Sequence, residues 1–223
     1  MLPAMSLDAP LVPAELTAAE FRDLARRRLS PVPSELVIDA QSGLMRRVAH
    51  GGREAEALPP ARSAAVLVPV VERAVLRMLL TLRTEQLPNH AGQIAFPGGK
   101  IEPGDSDPVA AALREAREEI GLAAEFIEPV GYLDNVLTRT GFYIVPVVAL
   151  VQPGFSLAPD AREVADVFEV PLAFLMDVNN HQRHVRELNG EPRHFYAMPY
   201  GERFIWGVTA GMIRNMHERM FAT

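Results

Sequence analysis

Between Gly98 and Leu122 the chain reads GGKIEPGDSDPVAAALREAREEIGL, a glycine-rich turn feeding a segment crowded with carboxylates. Glu115 and Glu119 are four residues apart. On a helix they are surface neighbours, and like charges so placed destabilise it. Neither has a basic residue three or four positions away; only Glu118 does, in Arg114. Such a pair asks for a positive partner, and a hard divalent cation with oxygen ligands is the natural candidate. A solvated acidic face is the ordinary reading of a Glu pair. The adjoining glycine loop favours a site.

The helix that must position them carries its own punctuation. Asp107 suits the N-cap, Pro108 the first helical position and Gly121 the stop. Val109, Leu113, Ala116 and Ile120 fall on one stripe, which predicts the core face. At about 100° per residue, Glu115 and Glu119 then share a flank and Glu118 points away from the core.

The second half of this stretch resembles the signature of the Nudix hydrolases: Gly, five residues, Glu, seven residues, then Arg-Glu-aliphatic-x-Glu-Glu-x-Gly-aliphatic. Arg114, Glu115, Glu118, Glu119, Gly121 and Leu122 match it, with small Ala116 in the aliphatic slot. Counting from Gly99, the first acid is Asp105 rather than Glu, and one extra residue precedes Arg114. Upstream, LLTLRTEQLPNHAGQIAFPGGK resembles the additional signature of the coenzyme A pyrophosphatase branch. Its start is Leu79, Leu80, Thr81 and Arg83, its centre His90 and Gly92, its end Phe96 to Gly99. That branch favours Asp at the acid position and accommodates the extra residue. The late run FIWGVTAGM also resembles bacterial members. The two signatures run without a gap from Leu79 to Leu122, and their combination is specific.

The resemblance implies that Glu115, Glu118 and Glu119 are the catalytic residues and hold Mg²⁺ or Mn²⁺ against a diphosphate. Arg114 would be a structural ion-pairing residue. The metal would lower the pKa of a bound water and neutralise charge on the bridging oxygen. Gly98 and Gly99 would let the backbone approach the phosphates, with Arg83, His90 and Lys100 completing the substrate-binding set. The implied substrate is coenzyme A or a thioester, cut to 4′-phosphopantetheine and adenosine 3′,5′-bisphosphate. Selecting coenzyme A needs positive charge at its 3′-phosphate. Arg83 and His90 are the candidates, the arginines of the N-terminal segment a weaker one. The general base stays open among Glu118, Glu163 and Glu169.

The composition fits this. The chain has 223 residues, 48% hydrophobic and 22% charged, as in an ordinary globular protein. The net charge of −6 speaks against a nucleic-acid polymer as main partner, whereas a small anionic nucleotide needs only local positive charge. Cysteine is absent, which excludes disulfides and thiolate chemistry. No apolar run reaches membrane-spanning length. Met1 to Pro13 has neither a basic start nor a secretory apolar core, so the expected location is the cytoplasm. A homodimer stays open.

Residues 1–60 read as an extension: a loose start, a helix over Thr17 to Leu29 capped by Thr17 and Glu20, and an arm and linker from Arg46 to Pro60. Phe21, Leu24 and Leu29 should dock on the body, residues 61–223. There, apolar runs at Ala64 to Val71 and Ala74 to Arg83 predict a hairpin, and Arg83 ends its second strand, poised for a phosphate or a surface ion pair. His90 lies in a loop. Further strands are expected at Val130 to Val136, Phe142 to Gln152 and Val164 to Val170, with a helical turn at Pro171 to Met176. Asn189-Gly190 signals a second hairpin. A final helix over Val208 to Met220 turns Met212, Ile213, Met216 and Met220 to the core. Mixing of these runs predicts an α/β protein with a mixed, partly antiparallel sheet; the resemblance implies an α/β/α sandwich. Two other readings stay open. One is a Nudix enzyme for ADP-ribose, sugar nucleotides or dinucleoside polyphosphates, the other a non-catalytic nucleotide sensor.

Overall fold

The computed structural model describes residues 16–34, 36–39, 47–49, 62–87, 90–138, 140–188 and 190–222. In chain order these form α1 (Ala18–Arg28), β1 (Leu36–Asp39), β2 (Arg47–Ala49), β3 (Arg62–Val71), β4 (Arg77–Arg83), β5 (Ile94–Ala95) and β6 (Gly98–Lys100). Then follow α2 (Pro108–Ile120), β7 (Ile127–Tyr132), β8 (Asn135–Leu137), β9 (Phe142–Val151), β10 (Val164–Pro171) and α3 (Leu172–Met176). The chain closes with β11 (Gln182–Leu188), β12 (Glu191–Tyr200), β13 (Arg203–Trp206) and α4 (Gly207–Met220). No helix among the described residues is long and apolar enough to cross a membrane.

The main sheet runs β10-β4-β3-β9-β8-β1-β2, with β5, β6 and β7 paired onto its flanks. Its spine is the parallel pair β3 and β9, in register from Arg62 opposite Phe142 to Val71 opposite Val151. β1 and β8 are also parallel; the remaining ladders are antiparallel. A second sheet, β11-β12-β13, is antiparallel throughout. This is the expected mixed sheet with helices on both faces.

The near-continuous apolar runs of β3 and β9 have a direct cause. Alternate side chains of a strand point to opposite faces, and here both faces are covered. Val66, Val68 and Val70 enter one core with α1, α3 and α4; Ala65, Leu67 and Val71 enter another beneath α2. Along β9, Val148 and Leu150 join the first core and Val145, Val147 and Ala149 the second.

Several expectations shift. The first hairpin exists, but β4 starts at Arg77 rather than Ala74, and β3 pairs with it only at Val70 and Val71. Farther back β3 pairs with β6 instead. The strand expected at Val130 to Val136 is broken into β7 and β8. The break falls at Leu133 and Asp134: Asp134 is fully buried, accepting from Ser34 and Asn215 and pairing with Arg219. The predicted core stripe of α2 is rotated. Ala111, Ala112, Ala116 and Ile120 are buried, while Val109 and Leu113 are only half-buried. Small alanines let the helix lie close on the sheet, and this turn carries Glu119 to the buried side. The capping box of α1 forms as read, and Phe21, Leu24 and Leu29 are buried. Within the expected arm and linker, β2 pairs with β1. Met1 to Pro13, Arg46, the stretch from Gly51 to Pro60 and Asn189 lie outside the described residues.

Candidate active site

Antiparallel pairing of β6 with β3 lays the glycine loop over α2. Gly98 N–H donates to Glu119 Oε2 at 3.1 Å, and Arg83, at the end of β4, places a guanidinium nitrogen 3.5 Å from Glu119 Oε1. A methyl group at Gly99 would run into the Glu115 carboxylate, and one at Gly98 into the Ala65 carbonyl and Val66. Glycine is thus needed at both positions by close approach.

Glu119 is only 4% exposed. Burial pushes its carboxyl up to about 7; Gly98 N–H and Arg83 oppose the rise, and Glu163 and Glu115 add to it. Burial also raises Glu115, against the pull of Arg114. The expectation that Glu115 lacks a basic partner is corrected, because the adjacent Arg114 reaches it at 2.9 Å. Arg114 also reaches Glu118 at 3.3 Å, takes two 3.0 Å bonds to Asp105 and donates to Lys100 O at 2.9 Å. Asp105 is therefore bound to Arg114, whose hydrogen bonds hold its carboxyl below the usual range. This hub ties the loop after β6 to the helix.

Glu118 is exposed, and among the described residues no three His, Asp or Glu side chains converge as a ready-made metal cluster. The donor set nevertheless suits a hard cation. Buried Glu119 and half-buried Glu115, each raised chiefly by burial and further by the charge of nearby Glu163, form a locally over-negative cluster of oxygen ligands. Glu169 is not part of it: it sits toward the other end of β10, paired with Arg73 at 2.7 Å and Arg77 at 3.4 Å.

On the other side of the glycine loop opens a cavity of about 860 Å³. Arg83, His90, Gly98, Gly99 and Lys100 all border it, although they come from β4, a loop and β6. His90 has φ 58° and holds Gln93 Oε1 through Nδ1 at 2.9 Å. The carboxylates lie behind the loop, not on the cavity wall. Another part of the wall is contributed by the second sheet and the start of α4, with Arg183, Arg186, Phe195, Trp206 and Thr209, while β3 and β9 add Ala64, Val66, Phe142 and Ile144. Thr209 Oγ1 donates to Ile94 O at 2.9 Å and fixes α4 to β5. Sequence reasoning missed this wall. Two arginines near a hairpin turn and a lone Trp are ordinary features until tertiary packing brings that hairpin over the glycine loop.

A family model described as NUDIX domain matches residues 61–188, more than half of the chain. Over 155 residues the chain is 41% identical to "Uncharacterized Nudix hydrolase NudL" of Citrobacter koseri, covering 70% of this chain and 81% of that protein. The protein of the same name from Escherichia coli (strain K12 / DH10B) is 39% identical over the same shares. Among solved structures, the NUDIX domain of Shewanella oneidensis NrtR complexed with ADP ribose is 19% identical. That alignment covers 75% of this chain and 94% of that one, with a TM-score of 0.46. With the match spanning residues 61–188 and relatives this similar over most of both lengths, the chain belongs to the Nudix hydrolases, pyrophosphohydrolases acting on phosphoric anhydride bonds.

Proposed function

We propose that the chain hydrolyses the pyrophosphate bond of coenzyme A or its thioesters, releasing 4′-phosphopantetheine and adenosine 3′,5′-bisphosphate. One observation carries this reading. The residues quoted from the coenzyme A signature, Arg83, His90, Gly98 and Gly99, border one cavity together with Lys100. Its volume of about 860 Å³ suits a nucleotide bearing a long substituent, at the upper part of the usual range of about 300–1,000 Å³. Phe96, Phe142, Ile144 and Met212 give it apolar wall for a pantetheine arm.

Nudix hydrolases generally use divalent ions such as Mg²⁺ or Mn²⁺. Here Glu115, Glu118 and Glu119 are the residues that would hold the ion. When bound, it supplies a water of lowered pKa and neutralises charge on the diphosphate. The chain's own groups do the rest. Lys100 and Arg83 balance phosphate charge from the cavity side, and Arg114 fixes both Glu115 and the loop through Lys100 O. Glu118 and Glu163 are the acids available to take a proton from the attacking water.

The test is a substrate panel with Mg²⁺ and Mn²⁺, read by product mass. Coenzyme A is expected to exceed ADP-ribose and diadenosine polyphosphates at least several-fold in kcat/KM. A better rate on either of those overturns the coenzyme A reading and leaves only the family chemistry.

A further inference from the structure

We propose that β11 is a docking edge for a second copy of this chain, the two strands pairing antiparallel about a two-fold axis at Val185. The second sheet ends on β11. Among the described residues only β12 pairs with it, whereas the opposite edge, β13, packs against β5. The free edge of such a strand offers the N–H and C=O groups of alternate residues to another strand. Gln182, Arg183, Val185, Arg186 and Glu187 are all exposed along it, and Val185 keeps 58% of its surface in solvent.

Charged side chains ordinarily protect an edge from pairing. Here their order admits one partner. Alternation along the strand puts Arg183, Val185 and Glu187 on one face, and His184 and Arg186 on the other. Arg183 and Glu187 lie about 13 Å apart along the strand, at roughly 3.3 Å per residue, too far to neutralise each other. Among the described residues neither forms an ion pair.

A two-fold axis normal to the sheet keeps each face on its own side, so the pairing must be centred on a residue. Centred on Val185, Arg183 of each copy stands opposite Glu187 of the other. The two Val185 side chains meet between these ion pairs, and His184 of each copy stands opposite Arg186 of the other on the far face. Centring on Arg183 or Arg186 would set like guanidiniums against each other, which destabilises a cross-strand pair. Centring on His184 would set each Arg183 against Val185 and leave it without a carboxylate. Opposite charges are thus matched in one register, and the contact is isologous, so it closes at two copies. It joins the two three-stranded sheets into one continuous sheet.

The test sediments the full chain at concentrations from micromolar to millimolar. One strand edge is a small interface, so the wild type should pass from monomer to dimer as concentration rises, and added salt should shift it back. Glu187→Arg or Arg183→Glu alone sets like charges opposite at both ends of the pairing and should weaken dimerisation by roughly tenfold or more. Arg183→Glu/Glu187→Arg together should bring it back to within about threefold of the wild type. The chain has no cysteine, so Val185→Cys places one thiol of each copy at the axis. Cα atoms about 4.5–5.5 Å apart there suit a disulfide, and mild oxidation should cross-link the dimer. Val178→Cys, at a site 46% exposed but off the edge, should not cross-link. Val185→Cys leaves the charges untouched, so the test stands even where a charge reversal disturbs the hairpin. A wild type that stays monomeric throughout, a dimer indifferent to the single reversals or unrestored by the double one, or equal cross-linking at both cysteines overturns the proposal.

Discussion

Under the proposed function Glu119 meets two conflicting demands: it lies almost wholly inside the protein, and it would hold a cation. Its folded pKa of about 7 lies above the ordinary 4.5, so the fold favours its protonated form. The stability tied to this group is full below about 4.5 and is lost as pH rises through about 7. At pH 8 without metal, Glu119→Gln is therefore expected to melt higher than the wild type. Millimolar Mg²⁺ should raise the melting temperature of the wild type and not of the variant. Turnover of Glu119→Gln should drop by a factor of a hundred or more, and EDTA should abolish that of the wild type. Near-normal turnover in the variant or in excess chelator would reduce the helix to a solvated acidic face. The acidic pair was legible because helix spacing alone places Glu115 beside Glu119. The attachment of Arg114 to Glu115 was not, because adjacent residues do not normally face each other on a helix, and Arg114 is turned by Asp105 and Lys100 O, which lie outside the helix.

At the scale of elements, punctuation was readable and rotation was not. Asp107 caps α2 by accepting from Ala110 N at 2.8 Å, and Gly121 ends it at φ 71°, as the residue types require. Which face of α2 is buried depends on how closely it can approach β3, a matter of alanine packing that periodicity does not encode. The same holds between α3 and α4. His181 donates from Nε2 to Leu175 O at 2.7 Å, and His217 from Nδ1 to Met176 O at 2.9 Å, so both rings cap the end of α3. Burial lowers both pKa values, and Arg214 lowers them further. The neutral rings are favoured in the fold, so their stability is present above about 6.5 and is lost as pH falls through the lowered values. The melting temperature should decline between pH 6.5 and 5. The double variant His181→Gln/His217→Gln, which retains a donor at each site, should show a flatter profile there. Equal slopes in thermal melts across that range would remove the two histidines from the acid response.

On the whole-molecule scale, the family match begins at residue 61, where the sequence also suggests that the body starts, yet the packing runs across that point. α1 buries Phe21, Leu24, Ala25 and Leu29 in the larger core shared with α4. Gly131 of β7 leaves room for Leu29, since a Cβ there would come within 2.7 Å of Leu29 Cβ. Ser30 bridges to Tyr132, and β1 extends the main sheet beside β8. The capping box and the apolar stripe made α1 legible; its partner surface was not, because β7 and α4 lie about a hundred residues or more away in sequence. We propose that α1 and β1, which precede the family match, supply part of the enzyme's core and are not detachable from it. Phe21 is fully buried, and truncating such a ring costs about 3–5 kcal/mol where the site cannot collapse. Phe21→Ala should therefore lower the midpoint of the whole chain's denaturant unfolding while the transition stays single. It should lower activity at elevated temperature in step. A variant that leaves the main transition in place and adds a separate early one would mean that α1 unfolds on its own and residues 61–223 stand alone.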